Sequence, residues 1–391
     1  MAIRLAILCS HPIQYYTPVF AKLAACDEID LHVFFGHQGS IDDGAFDEGF
    51  GRKVTWDIPL LDGYEHTFLP NHSSNPGLDA FDQLDYLDVG SRISEWNPDA
   101  LLVYGWAYKT HYRALRYFNG RIKTLFRGDS TLLDPKSGFK ALLRGLWLRW
   151  IYRHVDGVFN VGKSNQDYFL NYGLKAGQLE FAPHSIDNER FSQDAETREE
   201  DAKNWRSELG IAQEDVTILF VGKLQSKKAP DVLLDAFNRC GVSNAHLIFA
   251  GSGEMEEQLK RRAGDRVHFL GFQNQSQMPV VYRLGDVLAL PSRGPGETWG
   301  LAVNEAMASG RPAIVSNRCG CAADLIVPGQ TGEIMNADDP ADLADCLRNL
   351  CADRQQLKAM GENSFNHIAG WSMERQVEGI RRGLSRFTSA A

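Results

Sequence analysis

The sequence of 391 residues lacks any apolar run that approaches the length of a membrane span, which takes about 20 residues. Its seven cysteines are odd in number and scattered, and no two of them form a C-x2-C pair. We therefore expect reduced thiols and neither a disulfide framework nor a zinc site. The N-terminal apolar run, residues 3–9, is too short for a signal peptide and lacks a small-x-small cleavage site, so we interpret it as a buried strand. These features predict a cytoplasmic protein.

Two common nucleotide-binding loops are also unsupported by the sequence. Neither half of the chain has G-x-G-x-x-G after its first predicted strand, which leaves a dinucleotide-dependent dehydrogenase without support. The string G-x4-G-K-S occurs once, at residues 157–164 (GVFNVGKS), but its four variable positions form the predicted strand 158–161, so it does not predict a phosphate-binding loop. The net charge of −9 argues against a general nucleic-acid-binding protein, because such proteins need a basic surface. We expect no nucleic acid among the partners.

What the sequence does contain is a repeated alternation of short apolar runs and helical patterns, which is typical of α/β proteins with parallel sheets. A chain of this length is too long to fold around one ordinary hydrophobic core, so two domains are expected. The acidic segment 188–207 interrupts the alternation and predicts the boundary between the domains. The predicted strands are residues 3–9, 31–35, 100–104, 122–126, 158–161 and 179–182 before the boundary, and 217–221, 247–250, 267–270, 287–290 and 313–315 after it.

Three further segments have a predicted conformation. The pattern of residues 78–95 predicts a helix, as does that of 107–118. The Gly- and Asp-rich segment 36–51 predicts a mobile loop. Residues 371–387 predict a final amphipathic helix.

The chemistry is concentrated in residues 291–316, PSRGPGETWGLAVNEAMASGRPAIVS, which read as a loop, a helix and a strand after a buried strand. Glu297 lies on the loop at the carboxyl end of that strand, where open α/β sheets bind ligands. Glu305 lies about a turn and a half into the helix and can point at the same crevice. Carboxylates accept bonds from hydroxyls, so two of them in one crevice suit a sugar or a ribose.

This segment resembles the E-x7-E signature of the retaining glycosyltransferases of family 4, the group 1 glycosyl transferases, which have the GT-B fold. The resemblance implies two doubly wound Rossmann-like domains that face each other across a cleft. It assigns 1–190 to an acceptor domain, 191–370 to a nucleotide-sugar donor domain and 371–391 to a helix returning to the first domain. By the match, Glu297 holds the donor sugar in the catalytic centre and Glu305 holds the ribose. Trp299, Gly300 and Leu301 complete this part of the donor site, with the Gly-Leu backbone against the diphosphate.

Other loops of the second half extend the resemblance. In VGKLQSKKAPD, Lys223 and Lys228 stand where the family has an Arg and a Lys that hold the diphosphate, and Ala229 stands where Gly is usual. Gly251 belongs to a loop similar to G-x-G-[PE], and Phe272 and Gln273 match the region that lies against the nucleobase. No D-x-D motif, which the GT-A enzymes use to hold a metal on the diphosphate, occurs in the chain. The resemblance thus implies a nucleotide-sugar co-substrate with no metal and no cofactor.

The first half departs from the family pattern. Most relatives have a Gly-rich loop after the first strand, whereas this chain has Ser-His-Pro-Ile-Gln-Tyr, so His11, Gln14 and Tyr15 are candidates for the acceptor side. Many relatives carry a His after the strand at 122–126; here Arg127 follows, and we take Arg127 and His11 as catalytic candidates. A front-face mechanism, in which the donor phosphate helps to deprotonate the acceptor, requires no side-chain base. His184 is interpreted as part of a turn at the end of the domain.

Residues 136–153, KSGFKALLRGLWLRWIYR, contain no acidic residue. At helical spacing they give a broad apolar stripe between two basic flanks, the layout of a helix on an anionic membrane surface. The stripe consists of Phe139, Leu142, Leu143, Leu146, Trp147 and Trp150, and the flanks consist of Lys136, Lys140, Arg144, Arg149 and Arg153. The alternative is a core helix whose basic residues reach solvent.

Taken together, the residues and the resemblance predict a metal-independent retaining glycosyltransferase that moves a sugar from a nucleoside diphosphate to a glycan or lipid-linked acceptor. Cell-surface polysaccharide or glycolipid synthesis is the expected setting, at the inner face of the membrane. Two other interpretations stay open at this point: a nucleotide-sugar epimerase of GT-B fold, and a non-catalytic subunit that binds sugar nucleotides.

Overall fold

The computed structural model describes residues 2–39, 41, 45–47, 49–134 and 138–389. The chain divides into two compact units, each formed from more than one stretch of sequence. Unit 1 consists of residues 1–45, 58–184 and 373–391, and unit 2 consists of residues 46–57 and 185–372.

Unit 1 is built on a parallel sheet of seven strands in the order β5-β2-β1-β6-β7-β8-β9. These strands are β1 (Ile3–Cys9), β2 (Ile29–Phe35), β5 (Glu65–Phe68), β6 (Ala100–Tyr104), β7 (Lys123–Arg127), β8 (Gly157–Asn160) and β9 (Leu179–Phe181). The interior strand β1 is apolar from Leu5 to Cys9 because helices cover both faces of the sheet. Leu5 and Ile7 belong to one apolar core, and Ala6 and Leu8 belong to the other.

The helices of unit 1 fill the two faces of this sheet. They are α1 (Thr17–Ala24), α2 (Val89–Glu95), α3 (Lys109–Phe118), α4 (Phe139–Tyr152), α5 (Lys163–Asn171) and α15 (Met373–Thr388). The last helix, α15, packs beside β8 and β9, and Ile380 and Leu384 are buried in the same core as Leu5. The C-terminal segment therefore completes the first unit.

Unit 2 has a second parallel sheet, of six strands in the order β12-β11-β10-β13-β14-β15. Its strands are β10 (Val216–Val221), β11 (Ala245–Ala250), β12 (Val267–Gly271), β13 (Val287–Leu290), β14 (Ala313–Ser316) and β15 (Gly332–Met335). Its helices are α6 (Asn188–Ser192), α7 (Ala195–Glu208), α8 (Pro230–Cys240), α9 (Glu256–Arg262), α10 (Met278–Leu284), α11 (Leu301–Ala308), α12 (Ala322–Leu325), α13 (Pro340–Ala352) and α14 (Arg354–Ile368). Every predicted strand is present: β1, β6 and β13 have the predicted ends, and the ends of the others differ by one or two residues. Within the two sheets, β5 and β15 were not predicted.

The boundary between the units differs from the predicted one. Unit 2 begins at Ser185, and the acidic segment 188–207 forms α6 and α7 rather than a break between domains. Among the described residues of α7, only Ala202 is buried. Because the helix has so few apolar residues to bury, its composition resembles that of a linker. Ion pairs hold it instead: the Glu199 carboxylate accepts two bonds from Arg311, at 2.7 and 2.8 Å, and Arg206 contacts Asp286 at 3.3 Å.

Two other local predictions are wrong. In the segment predicted as a helix from 78 to 95, the helix begins only at Val89. The Gln83 side chain accepts bonds from the backbone N–H groups of Asp79 and Ala80, which offers this segment an alternative to helical hydrogen bonding. The predicted loop at 36–51 contains β3 (Ala45–Asp47), which pairs with β4 (Arg52–Val54), while residues 40, 42–44 and 48 lie outside the described part.

Each sheet has one point where the strand order reverses. In unit 1 the reversal lies between β1 and β6, and in unit 2 it lies between β10 and β13. Loops on the two sides of such a point turn away in opposite directions and leave a crevice at the carboxyl ends of the strands. Each sheet therefore places a potential ligand site of its own. The loops after β1 and β6 line the site in unit 1, and the loops after β10 and β13 line the site in unit 2.

Candidate functional site

In unit 2, the loops after β10 and β13 bring together two residues that the sequence places in the donor site. The Lys228 ammonium is paired with the Glu297 carboxylate. The Ser292 hydroxyl donates a hydrogen bond of 2.9 Å to the same carboxylate oxygen of Glu297. The Glu297 side chain is only 9% exposed. A carboxylate fixed beside an ammonium at a sheet reversal can orient a ligand that carries both hydroxyls and negative charge.

The second carboxylate of the signature is more deeply enclosed. Glu305 lies on α11 and is 3% exposed. The phenol of Tyr282, on α10, donates a hydrogen bond of 2.6 Å to Glu305 Oε2. Tyr282 thus orients the carboxylate predicted to hold the ribose.

The turn between the two glutamates is held by tight packing. Gly300 has φ of 106°, a backbone conformation that favours glycine, and α11 begins at the next residue, Leu301. Trp299 is buried, and its indole N–H donates to Asn304 Oδ1 at 2.8 Å. The structure therefore gives Trp299 a packing role that ties the turn to the helix, whereas the sequence places it among the donor-binding residues. Its direct contact with a donor stays a prediction.

The cationic loop after β10 lies directly against the glycine loop after β11. Gly251 has φ of 143°, and a Cβ added there would lie 1.9 Å from the carbonyl oxygen of Gly222. Lys223 follows Gly222, and its ammonium contacts both carboxylate oxygens of Asp47, at 2.7 and 2.9 Å. Only glycine at 251 permits this approach, so the predicted G-x-G resemblance corresponds here to a steric requirement.

The backbone conformation of Ala229 is one that favours glycine, the residue that the resemblance leads us to expect at this position. Ala229 is the N-cap of α8 and has φ of 54° and ψ of 45°, the left-handed conformation. A side chain in this conformation costs roughly 1–2 kcal/mol relative to the right-handed region. The chain keeps the loop geometry although the residue that suits it best is absent.

The loop after β12 places the residues expected to contact a nucleobase. The Gln273 side-chain amide donates to the carbonyl of Leu270 at 2.8 Å, which fixes the turn. Phe272 is half-buried, and aromatic and cationic side chains surround its ring: Phe50 at 5.0 Å, Trp56 at 6.2 Å and the Arg52 guanidinium at 4.9 Å. These three residues come from segment 46–57.

Arg293, which the sequence did not single out, joins the loop after β13 to the loop after β10. Its guanidinium contacts the Asp231 carboxylate at 3.1 Å and the Asp338 carboxylate at 2.7 Å, and its backbone N–H donates to the carbonyl of Lys227. Arg293 therefore fixes the loop that carries Glu297 against the loop that carries Lys228. It lies three residues after a buried strand, in a loop otherwise rich in glycine and proline, and its residue type alone did not indicate that it connects two loops.

Unit 1 has a pocket of about 130 Å³ at its own sheet reversal. Its polar lining residues are Ser10, Tyr16, Tyr104, Arg127, Asp129 and His184. Arg127 is 2% exposed and donates to the carbonyls of Ala182 and Pro183, at 2.8 and 3.0 Å. Burial lowers the pKa of His184 to about 3, helped by the charge of Arg127, so its imidazole is neutral near pH 7. The catalytic assignment of Arg127 stays a prediction, and its guanidinium also holds the end of β9 in place.

The predicted acceptor-side residues of the first loop do not line this pocket. His11 lies beside it, and its Nδ1 is 3.0 Å from the Ser10 hydroxyl. Burial, with a smaller effect of His37, lowers the pKa of His11 to about 4, so any part it takes near neutral pH is that of a neutral imidazole. Gln14 and Tyr15 are half-buried in the turn before α1. Ser10, Ile13 and Tyr16 of the same loop line the pocket instead.

A wider cavity in unit 2, of about 960 Å³, lies away from the signature residues. It is lined by Gly310 and Arg311, which precede β14, and by Asp286, which precedes β13. These residues mark the amino ends of the strands, the edge opposite the loops described above. Size alone therefore does not identify the donor site.

Helix α4 exposes the apolar stripe that the sequence predicts. Leu148, Ile151 and Tyr152 are buried on the side of the helix that faces the unit 1 core. The opposite side leaves Phe139 72% and Leu146 54% exposed. The exposed large apolar residues of this helix are Phe139, Leu142, Leu143, Leu146 and Trp150. Trp147 departs from the predicted stripe because it packs edge-to-face on Trp106, with 4.9 Å between ring centroids.

Basic residues flank this exposed stripe. Lys140, Arg149 and Arg153 are exposed, Arg144 is half-buried, and Lys136 lies outside the described residues. The alternative of a core helix with buried stripe residues is wrong for these apolar side chains. Among the described helices, none is both long and apolar enough to cross a membrane.

Comparison with known proteins supports the family resemblance of the second half of the chain. Residues 201–367 match the sequence model of the family described as Glycosyl transferases group 1, which confirms the family predicted for the second half of the chain. The chain is 31% identical over 242 residues to a D-inositol 3-phosphate glycosyltransferase of Nocardia farcinica, a match that covers 58% of this chain and 52% of that protein. It is also 31% identical over 226 residues to a GDP-mannose-dependent alpha-(1-6)-phosphatidylinositol monomannoside mannosyltransferase of Mycobacterium tuberculosis, over 55% of this chain and 57% of that protein.

The chain thus spans about half the length of the curated relatives it matches. The whole chain is similar in fold to Anabaena Alr3699/HepE, solved in complex with UDP and glucose, with a TM-score of 0.72, 17% identity and coverage of 98% of this chain and 99% of that one. The fold is therefore GT-B, with two Rossmann-like α/β domains, as the sequence predicts.

Proposed function

We propose that the protein transfers a sugar from a nucleoside diphosphate sugar to a hydroxyl of a glycan or lipid-linked acceptor, because residues 201–367 match the model of Glycosyl transferases group 1. The observation that carries the proposal is the pairing of Lys228 with Glu297 at the sheet reversal of unit 2. It places a cation for a diphosphate next to a carboxylate for sugar hydroxyls. The names of the relatives, with inositol phosphate and phosphatidylinositol mannoside acceptors, support a role in building cell-envelope glycans.

The reaction breaks the bond between the anomeric carbon and the diphosphate oxygen and forms a bond from that carbon to the acceptor oxygen. Negative charge grows on the leaving diphosphate, and Lys223 and Lys228 would stabilise it. Glu297 would hold the sugar hydroxyls, and Glu305 would hold the ribose. The acceptor proton passes to the leaving diphosphate oxygen on the same face of the sugar, so the anomeric configuration is retained, as in family 4.

Transfer is tested by measuring nucleoside diphosphate release from UDP-, GDP-, ADP- and dTDP-sugars, with and without phosphatidylinositol-type and soluble glycan acceptors. We expect release that depends on the acceptor, and we expect it to persist in EDTA because lysine side chains take the place of a metal. Interconversion of the sugar without release indicates an epimerase, and binding without either reaction indicates a non-catalytic subunit. Complete loss in EDTA that Mn²⁺ restores contradicts metal independence.

A second part of the proposal concerns the membrane. Exposed apolar patches flanked by basic side chains are typical of surfaces that lie on anionic lipid. The stripe on α4, from Phe139 to Trp150, has this character and carries exposed basic residues on both sides. We propose that α4 binds the cytoplasmic face of the membrane and brings the enzyme to a lipid-linked acceptor.

Vesicle flotation tests this attachment. The protein should float with anionic vesicles at low salt and much less with neutral ones, because each Lys or Arg near an anionic surface contributes about 1 kcal/mol and salt screens it. The triple variant Lys140→Glu, Arg149→Glu, Arg153→Glu should lose flotation and keep transfer to a soluble acceptor.

The matched control changes the same charge in unit 2, where Arg239, Arg261 and Lys358 are exposed. Their replacement by Glu should leave flotation unchanged. A wild-type protein that ignores anionic vesicles at low salt would show that α4 does not bind membranes.

A further inference from the structure

Residues of segment 46–57 lie on the loops that the proposed function assigns to the donor. This segment is far from those loops in sequence, yet it belongs to unit 2. The Ser252 hydroxyl, after β11, donates to the Phe50 carbonyl at 3.0 Å. The Asn274 amide, after β12, donates to the Thr55 carbonyl at 2.9 Å. The described part of this segment, Asp47 with residues 49–57, is called the strap below.

The strap places a carboxylate on the lysine expected to hold the diphosphate. Both oxygens of Asp47 contact the Lys223 ammonium, at 2.7 and 2.9 Å. Asp47 Oδ1 also accepts from the backbone N–H groups of Gly49 and Phe50, at 2.9 and 3.1 Å. These bonds orient the carboxylate toward the lysine. The Asp47 carboxylate therefore already contacts the Lys223 ammonium, to which a diphosphate oxygen would bind.

The strap also covers the lysine and its neighbouring aromatic residue. A Cβ added to Gly49 would lie 2.5 Å from Lys223 Cδ, so the strap backbone rests directly on that side chain. The Lys223 ammonium is 4.9 Å from the Phe50 ring centroid. Phe50 in turn meets the edge of Phe272, and the Arg52 guanidinium lies over the Phe272 ring. The same short segment thus contacts both the expected diphosphate position and the expected nucleobase position.

We propose that Asp47 is an intramolecular competitor for the donor: its carboxylate occupies the place of a diphosphate oxygen on Lys223, and a nucleoside diphosphate binds by displacing it. The inference rests on the proposed donor site. Its physical basis is charge, because a diphosphate and a carboxylate cannot both contact one ammonium without strong repulsion between them. Displacement of Asp47 would also release Phe50 from Lys223 and open Phe272 to a planar base.

The test compares the affinity of the full-length protein for free UDP and GDP, by calorimetry, in the wild type and in Asp47→Asn. The variant should bind the nucleotide that the wild type binds roughly 3- to 10-fold more tightly, in the range expected for removing a partly exposed ion pair that binding must break. Lys223→Met should weaken binding, and adding Asp47→Asn to Lys223→Met should bring no further gain. Unchanged or weaker binding by Asp47→Asn overturns the proposal.

Asp57→Asn is the matched control. It removes the same charge from the same strap, but Asp57 bonds to the backbone and hydroxyl of Ser276 rather than to a lysine. It should leave nucleotide affinity unchanged. An equal gain in Asp57→Asn and Asp47→Asn would indicate a general charge effect and overturn the proposal. If neither the wild type nor any variant binds a nucleoside diphosphate, the proposed function fails together with the inference about Asp47. If the proteins bind nucleotide but Asp47→Asn brings no gain, only the inference about Asp47 fails.

Hydrogen exchange gives an independent readout. Saturating nucleotide should speed amide exchange at Gly49 and Phe50, whose N–H groups are bonded to Asp47. Slower exchange there would mean that the strap stays in place over the nucleotide, and it would contradict displacement.

Discussion

Glu297→Gln should lower the rate of sugar transfer by about tenfold to a hundredfold and leave the affinity for free nucleoside diphosphate intact. Loss of one hydrogen bond to a charged group costs roughly 1.5–3 kcal/mol, which corresponds to that range. Affinity should not fall, because the substitution frees Lys228 from its paired carboxylate. Transfer is measured by product release at saturating donor, and affinity is measured by calorimetry.

Glu305→Gln is the informative partner of this variant. The Glu305 carboxylate is predicted to hold the ribose, which free nucleotide retains. Glu305→Gln should therefore weaken nucleotide binding by a similar factor. Tyr282→Phe removes the phenol that donates to Glu305 and serves as a control for the orientation of the carboxylate. It should weaken nucleotide binding less than Glu305→Gln does. Equal loss of nucleotide affinity in the Glu297 and Glu305 variants would contradict the division of roles.

Gly251→Ala should destabilise the protein by at least about 3 kcal/mol, the range of severe steric substitutions. The added Cβ would lie 1.9 Å from the backbone oxygen of Gly222, and a backbone atom at the end of a buried strand cannot move aside as a flexible side chain can. The backbone conformation adds to the cost, since φ is 143°. Urea unfolding measures the loss, and nucleotide binding should disappear with it, because Lys223 follows Gly222 in the displaced loop.

Gly264→Ala is the matched control for this substitution. Gly264 is exposed, and a Cβ added there meets no atom within 4 Å among the described residues. Its free energy of unfolding should stay within about 0.5 kcal/mol of the wild type, as for ordinary surface changes. A similar loss in both variants would mean that the close approach of the two loops is not what requires glycine at 251.

Local patterns predicted most of the architecture because apolar runs bounded by turns are a strong signal for strands covered on both faces. The position of Glu297 followed from the same logic, since it comes shortly after such a run, whereas Lys228 was assigned by its match to the family string. The structure shows that the strands before these two residues are neighbours at a sheet reversal. The residues that contact Lys228 and Glu297 were harder to predict from the sequence. Ser292 and Arg293 act through contacts that depend on loop geometry, and nothing in their residue types distinguishes them from other polar residues in a turn.

Two of the failures share a physical cause, because in each the stabilising contact is distant in sequence. Asp47 pairs with Lys223, 176 positions away, so segment 36–51 had only its glycines and aspartates to suggest a loop. Helix α7 is held by Arg311, 112 positions from Glu199, so its composition alone indicated a linker. For Trp299 the motif suggests ligand contact, and the structure shows burial with a bond to Asn304; its contact with a donor stays a prediction.

The interleaving of the two units along the chain constrains how such a protein can be recombined. The backbone passes from one unit to the other at 45/46, 57/58, 184/185 and 372/373. A chimera that exchanges donor specificity with a single crossover near 184 would inherit the strap from one parent and Lys223 from the other. It would also separate α15 from the sheet that it completes. Exchanges that preserve function should therefore carry residues 46–57 together with 185–372 and leave the C-terminal helix with its original parent.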